Sequence, residues 1–349
     1  MHSETIYHRY NPLMSLIIPY FIHHRGCPHR CLFCNQVSIA GRNRHDSHDC
    51  ANDLQRTIET WLARSPGYDD VQVAFFGGSF TCIDEALQKT LLEAAAPYIK
   101  DGRIRSIRMS TRPDCLSEEI CHFLVSHGVK TVEIGAQSMH DQVLERALRG
   151  HTVTDIEQSV RLLKSQQFET GVQLMVGLPG ETTRSFLNGV RDVVKLAPDL
   201  VRIYPVLVLK QTELADVYRN TAWQPLSLDR AVSLAATARE LFLEHGIKVI
   251  RMGLQPSKEL EEQLIAGPYH PAFGELVISR SWYRKIRRIL VTAGRDKTVQ
   301  LTISEKDYSA VIGDKRQNKK RFEHLADGAA LRIKLDRTMK RGHYRHAVS

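Results

Sequence analysis

The chain has 349 residues, of which 42% are hydrophobic and 25% charged, and carries a formal net charge of +9. Such a balance belongs to soluble globular proteins and excludes extensive disorder; with no apolar run near the ~20 residues a spanning helix needs and no leader pattern at the N-terminus, no membrane is expected as a partner and the expected compartment is cytoplasmic. The charge is unevenly placed: residues 1–250 carry 27 Lys+Arg against 28 Asp+Glu, and residues 251–349 carry 21 against 11.

From Leu13 onward short β-rich runs alternate with helical stretches. The runs are LIIPYFI, VQVAFF, IRSIRMS, TVEIGA, GVQLMV and LVRIYPVLV, near-continuous apolar or β-branched segments of the kind that buried parallel strands need. Between them the spacing predicts helices over 52–64, 84–98, 117–127, 141–148, 154–167 and 182–196, several opening on a capping residue such as Ser117 or Thr154. A helix after each strand predicts an α/β fold with a parallel sheet. Six such units over residues 1–250 make a partial (β/α)6 TIM-like barrel, two short of closure. After a helix near 228–245, IKVIRMGL reads as one more strand. Residues 251–349 read as a small basic α+β module: one long basic helix, then strand, helix, basic loop and strand over 298–335, with a frayed tail at 337–349.

Chemically unusual residues collect where the strands end: GGSF (77–80), STRPD (110–114), GAQS (135–138), GLPGET (177–182) and RIYP (202–205). Turn chemistry explains any one of them; together they mark one composite pocket at the edge where parallel barrels assemble their sites. The first of these loops is GCPHRCLFCNQ, residues 26–36, which places Cys27, Cys31 and Cys34 in a C-x3-C-x2-C pattern. Thiols this close suit a loop wrapped around a metal centre better than disulfides. Two centres compete. A structural zinc needs a fourth ligand, for which His23, His24, His29 and Cys50 are available; a four-iron cluster needs only the three thiolates and leaves one iron open. Position at the barrel mouth favours the cluster. Cys50, Cys82, Cys115 and Cys121 have no ligand spacing and read as small buried hydrophobes.

This pattern, with Phe33 just before the last cysteine, resembles the radical S-adenosylmethionine (SAM) enzymes. The resemblance implies a 4Fe-4S cluster on Cys27, Cys31 and Cys34. Its open iron would be chelated by the amino and carboxylate groups of SAM, and an electron from a donor such as flavodoxin or ferredoxin would release a deoxyadenosyl radical. It further implies that Gly77, Gly78 and Ser79 meet the methionine amino group, although many members carry an acidic residue where Ser79 stands. Within that family MSTRPD, VEIGAQS, RGHTV and RIYPVLVLKQTELADVY look like the radical SAM half of the Elongator catalytic subunit, a tRNA wobble-uridine modifying enzyme. That likeness implies Gln137 and Arg149 near the SAM ribose or carboxylate, and Ser110 and Arg112 lining the pocket. Elongator's cysteines are more widely spaced, and nothing after residue 250 resembles its acetyl-CoA site. The short spacing and GLPGET instead resemble oxygen-independent coproporphyrinogen oxidase.

Arg112 and Arg149, each after a barrel strand or its helix within a matched motif, read as carboxylate partners rather than ordinary surface cations, whereas Tyr20 and Tyr204 fit core or rim as well as pocket. In the C-terminal module SRSWYRKIRR and KRQNKKR are cation-rich, and Trp282 or Tyr283 offers a base-stacking surface, a pattern that fits tRNA or other RNA; the competing reading is a solvated basic face. Three functions follow: radical chemistry on RNA, radical chemistry on a small metabolite or porphyrin-like molecule, and a non-catalytic metal-stabilised RNA-binding protein.

Overall fold

The structure is a computed structural model and describes residues 15–22, 27–35, 49–294, 296–325 and 330–349. In chain order the barrel elements are β1 (Ser15–Phe21), α1 (Cys50–Arg64), β2 (Asp70–Phe76), α2 (Glu85–Lys100), β3 (Ser106–Thr111), α3 (Glu118–Ser126), β4 (Val129–Gln137), α4 (Asp141–Arg146), α5 (Val153–Ser165), β5 (Glu169–Val176), α6 (Thr183–Leu196) and β6 (Leu200–Pro205). They are followed by β7 (Val208–Leu209), α7 (Glu213–Asn220), α8 (Leu228–Glu244), β8 (Lys248–Met252) and the short α9 (Lys258–Gln263). Strands β1 to β6 pair in sequence order, all parallel, and β8 adds a seventh parallel strand beside β6. The curled half-barrel therefore carries one strand more than the six complete repeats. The sixth apolar run is divided: β6 ends at Pro205, and β7 leaves the sheet to pair with β9 (Leu264–Ala266).

Alternation along the strands builds the core. Ile18, Val73, Ile107, Val132, Val172 and Val201 are fully buried against helix residues such as Leu54, Leu92, Leu124, Ile156 and Val190. Local capping fixes where helices begin. The Ser117 side chain accepts from the Ile120 N–H, as expected, whereas the cap of α5 lies two residues before the expected one: Thr152 forms a reciprocal capping box with Asp155.

Two apolar clusters share one helix. α10 (Phe273–Ala293) sends Phe273 and Val277 into the barrel core, then Trp282, Ile286 and Leu290 into a smaller core with Val299, Leu301, Ile303, Val311 and Phe322. That second core is roofed by a three-stranded sheet in the order β11-β10-β12, with β10 at Thr298–Ser304, β11 at Ala330–Asp336 and β12 at Tyr344–Val348. β11 runs parallel to β10 and β12 antiparallel to it. Three expectations are corrected here. The tail read as frayed contains β12, ordered by its ladder to β10, and KRQNKKR belongs largely to helix α12 (Gln317–Leu325), which follows α11 (Tyr308–Ile312). Trp282 is only 4% exposed and packs edge-on against Tyr344, so it is a core residue and has no face free for a base. Tyr283 is half-buried, stacked on Phe322 with Arg321 across its ring. Among the described residues no helix is long and apolar enough to cross a membrane.

Candidate functional site

The cysteine loop is anchored at its middle. Leu32 is buried with Val143, Ala147, Leu178, Val206 and Leu214, and Phe33 packs against the same cluster. Its backbone is tied on both sides: the Leu32 N–H donates to Ala147 O at 3.1 Å, and the Leu214 N–H donates to Leu32 O at 2.8 Å. The Asn35 amide donates to Lys210 O at 2.8 Å. Along this loop Cys31 is buried, Cys34 half-buried and Cys27 exposed. The other side of the loop rests on RGHTV. Gly150 has φ 71°, and a Cβ there would collide with the His29 ring, so glycine serves both the left-handed turn and the close approach. Of the four alternative zinc ligands, His23 and His24 lie outside the described residues, His29 is packed on Gly150, and Cys50 is buried in the barrel core at the start of α1. No three His, Cys, Asp or Glu side chains among the described residues are gathered to hold a single ion.

Arg149 joins this loop to the barrel. Its Nη1 donates to Cys31 Sγ at 2.9 Å and its Nη2 to Gly135 O at 2.6 Å. Gly135 permits that approach, because a Cβ there would stand 3.1 Å from Gln137 Nε2 and 3.4 Å from Arg149 Nη2. Gln137, half-buried at the end of β4, adopts φ 68°, a conformation that costs a non-glycine residue of order 1 kcal/mol or more and that concentrates at functional sites. Arg112 reaches the same place from β3. It donates from Nη2 to Arg149 O at 2.5 Å and chelates Asp114 with two bonds of 2.8 Å. Burial works to raise the Asp114 carboxyl, but the Arg112 guanidinium outweighs it and holds it below the usual range. His151, 5% exposed, has its pKa pushed down to about 4 by burial and then by Arg149 and Arg112.

Ser79 is 1% exposed and fully engaged. Its Oγ lies 3.1 Å from Thr111 Oγ1 and 3.0 Å from Cys82 Sγ, and it accepts from the Arg112 N–H at 3.0 Å. It thus ties the loop after β2 to the loop after β3, with Gly77 (φ 86°) and Gly78 before it half-exposed at the strand end. A disulfide between Cys82 and Cys115 joins the same two loops. This corrects the reading of those two residues as isolated buried thiols: both are half-buried, and the fold brings together positions 33 residues apart. Cys50 and Cys121 are buried, as expected. Ser110 accepts from Gln173 Nε2 at 3.0 Å inside the barrel. Tyr20 is a core residue, packed edge-on to Phe75 with its hydroxyl on Cys50 O, and Tyr204 is half-buried with its hydroxyl bonded by Arg202. After β5, the Glu181 carboxyl is raised to about 8 by burial, although it accepts from the Gly177 N–H at 2.8 Å.

Sequence reasoning missed the charged layer deeper in the barrel. Glu133 on β4 is fully buried and is held by Arg108 of β3 at 3.1 Å, by Arg202 of β6 at 2.8 Å and by Gln173 of β5 at 3.3 Å. The signal was present: a charge in the middle of an apolar strand requires a partner across the barrel.

These residues suit an anionic group carried on the three thiols. Arg149 is bonded to Cys31 Sγ and Arg112 to the Arg149 carbonyl, and Arg149 Nε, Arg112 Nη1 and His151 Nδ1 are buried without a hydrogen-bond partner, polar atoms left over for something beyond the chain. A parallel half-barrel with a cysteine loop, turn glycines and paired arginines at the carboxyl ends of its strands defines an α/β enzyme built to hold a charged cofactor in its mouth. The chain belongs to the radical SAM superfamily: that family's signature matches residues 21–193, and the radical SAM C-terminal domain matches residues 198–283. Members are enzymes that use a 4Fe-4S cluster and SAM.

An uncharacterised protein of Methanocaldococcus jannaschii is 26% identical over 228 residues, 63% of this chain and 69% of its own. The tRNA uridine(34) acetyltransferase of the same organism is 30% identical over 167 residues, 46% of this chain and 31% of its own. The heme chaperone HemW of Bacillus subtilis is 26% identical over 197 residues, 55% of this chain and 51% of its own. In structure the chain is similar to Methanocaldococcus infernus Elp3, with a TM-score of 0.59 at 20% identity over 79% of this chain and 63% of that one. The chain thus spans about a third of the length of the archaeal tRNA acetyltransferases it matches.

Proposed function

We propose that this protein reductively cleaves SAM at a 4Fe-4S cluster held by Cys27, Cys31 and Cys34, and directs the resulting deoxyadenosyl radical at an RNA substrate, with tRNA the favoured class. The carrying observation is Arg149, which spans from the thiol of Cys31 to the carbonyl of Gly135 at the end of β4. A cation fixed there stands beside the cluster loop and within reach of a carboxylate bound at the strand ends. In this reading Arg149 and Arg112 orient the SAM carboxylate. Gln137, aimed by its left-handed backbone, and Ser110 with Gln173 face the ribose, and Gly77, Gly78 and Ser79 meet the amino group, with Ser79 acting through the backbone it braces. When held by Cys27, Cys31 and Cys34, the cluster would supply the electron, with an external donor such as flavodoxin or ferredoxin as its source. The tRNA assignment is supported by the similarity to the archaeal tRNA uridine(34) acetyltransferases. The short cysteine spacing and the similarity to HemW favour a second reading, a porphyrin-like substrate, which needs no affinity for RNA.

Anaerobic reconstitution with iron, sulfide and a reductant, followed by chromatography for deoxyadenosine, tests the chemistry. The wild-type chain should produce it. Cys27→Ala, Cys31→Ala and Cys34→Ala should each lower it by at least two orders of magnitude, because a cluster missing one of its three thiolates has no stable anchor. Undiminished product in any of the three removes that cysteine from the cluster.

A further inference from the structure

The C-terminal module carries the whole positive excess of the chain, and the structure divides those cations into two groups. On α10 most are committed to packing. Arg280 pairs with Asp229, Arg284 donates to Ser233 O and Thr237 Oγ1 at 2.9 Å each, and Lys285 lies over the Trp282 ring at 5.4 Å. These contacts clamp α10 to α8 and to its own core. In α12 Arg321 covers Tyr283 and Lys319 faces Glu323 one turn on. Three of the five cations of SRSWYRKIRR are therefore structural, whereas Arg287 and Arg288 there, and Lys315, Arg316 and Lys320 of KRQNKKR, are exposed.

The outer face of the three-stranded sheet is different. Strand alternation points Val299, Leu301, Ile303, Leu331, Ile333 and Tyr344 inward to the small core, so the intervening residues face away from it. The registers align Arg332 with Gln300 and Ala347 in one row, and Lys334 with Thr302 and Arg345 in the next. Arg332, Lys334 and Arg345 are exposed, and among the described residues no carboxylate forms an ion pair with any of the three. Asp336 at the end of β11 accepts from the Thr338 and Met339 N–H groups and the Thr338 hydroxyl of the following loop, and Arg345 helps to hold its carboxyl below the usual range. Strand geometry separates Arg332 from Lys334 by roughly 7 Å and sets Lys334 roughly 10 Å from Arg345 across the central strand. The residues between these cations are Gln300, Thr302 and Ala347, which offer hydrogen bonds and a flat floor, with neither an aromatic ring for stacking nor a bulky apolar side chain for insertion into lipid.

We propose that the outer face of the β11-β10-β12 sheet docks the phosphate backbone of the RNA substrate, through Arg332, Lys334 and Arg345. The proposal rests on the reading of RNA as substrate and deepens it: the module grips backbone with little regard to sequence, leaving recognition of the target nucleotide to the barrel mouth. Three phosphates neutralised there release their counterions, so affinity falls steeply with salt.

The test is a fluorescence-anisotropy titration of a labelled transcribed tRNA onto the full chain between about 50 and 200 mM salt. Arg332→Gln/Lys334→Gln/Arg345→Gln should weaken binding on the order of tenfold or more at the lower salt and reduce the slope of log K against log salt by about 2 to 3. Its thermal unfolding midpoint should stay that of the parent, which excludes misfolding as the cause. Arg287→Gln/Arg288→Gln, two exposed cations on α10, should change neither affinity nor slope by a comparable amount. The proposal is overturned if the sheet variant binds like the parent, if the α10 variant carries the loss instead, or if the parent prefers phosphatidylserine vesicles to tRNA. Deoxyadenosine formation by the parent without RNA reports on the cluster chemistry alone, so failure of the docking surface and failure of the proposed reaction are read separately.

Discussion

His151 shows how closely the charge balance of the mouth is set by single residues. It is enclosed beneath Arg149 and Arg112, where a second proton would add a third positive charge to two already desolvated. Its pKa therefore falls from 6.5 to about 4, burial contributing most and the two arginines the rest. Because the folded value is the lower one, the unfolded chain binds a proton that the folded chain refuses as pH drops. The neutral histidine contributes its full stability above about pH 6.5, and that contribution is lost progressively down to about pH 4. The shift corresponds to about 3 kcal/mol across that window. His151→Gln keeps a polar side chain near Ala136 O and cannot titrate. Urea unfolding of the two proteins at pH 7 and pH 4.5 should give a stability difference that narrows or reverses in favour of the variant at the lower pH; parallel pH profiles would remove His151 from the acid sensitivity.

Among the elements, the buried layer around Glu133 holds four strands together. Arg108 on β3, Gln173 on β5 and Arg202 on β6 all converge on the one carboxylate from β4, and Gly171 on β5 leaves the space its side chain needs. With Glu133→Leu, two guanidiniums would face each other in a low-dielectric interior without a counter-charge. The cost of removing one partner of such a group is roughly 3–5 kcal/mol, and the denaturation midpoint should fall accordingly. Glu133→Leu with Arg108→Leu and Arg202→Met should recover much of it, since an apolar replacement of the whole group removes the charges together. The elements themselves were legible wherever their signal was local. Strand runs such as VQVAFF and the Ser117 cap declare themselves within a few residues, and the thiol spacing of Cys27, Cys31 and Cys34 is chemical information carried by a single loop. What could not be read depends on partners distant in sequence. β12 is a strand because Tyr344 to Val348 find β10 more than 40 residues away; Cys82 meets Cys115 only because adjacent parallel strands end side by side; and the end of β6 at Pro205 is set by the departure of β7 toward β9. The roles of Arg149 and Ser79 needed distances across loops, which no spacing encodes.

At the scale of the whole molecule, α10 couples the barrel to the basic sheet. Its first half is part of the barrel core, its second half is the base of the small one, and side chains of both halves bind α8. The small core has few large residues, and Trp282, in contact with Tyr344 on the opposite layer, is its bulkiest. Trp282→Ala would remove that contact and leave a cavity, at a cost of roughly 3–5 kcal/mol. That loss falls on β10, β11 and β12, whose inner faces depend on Trp282, while the barrel strands keep their own much larger core. Hydrogen exchange on the full-length variant should show amides of residues 298–304, 330–336 and 344–348 losing most of their protection, with amides of β2 to β5 unchanged. If the barrel amides lose protection to the same degree, the two cores unfold as one unit and α10 transmits the damage. If only the sheet opens, the variant should bind tRNA more weakly and still form deoxyadenosine, because the cations of the outer face hold their register only while the layer beneath them is packed.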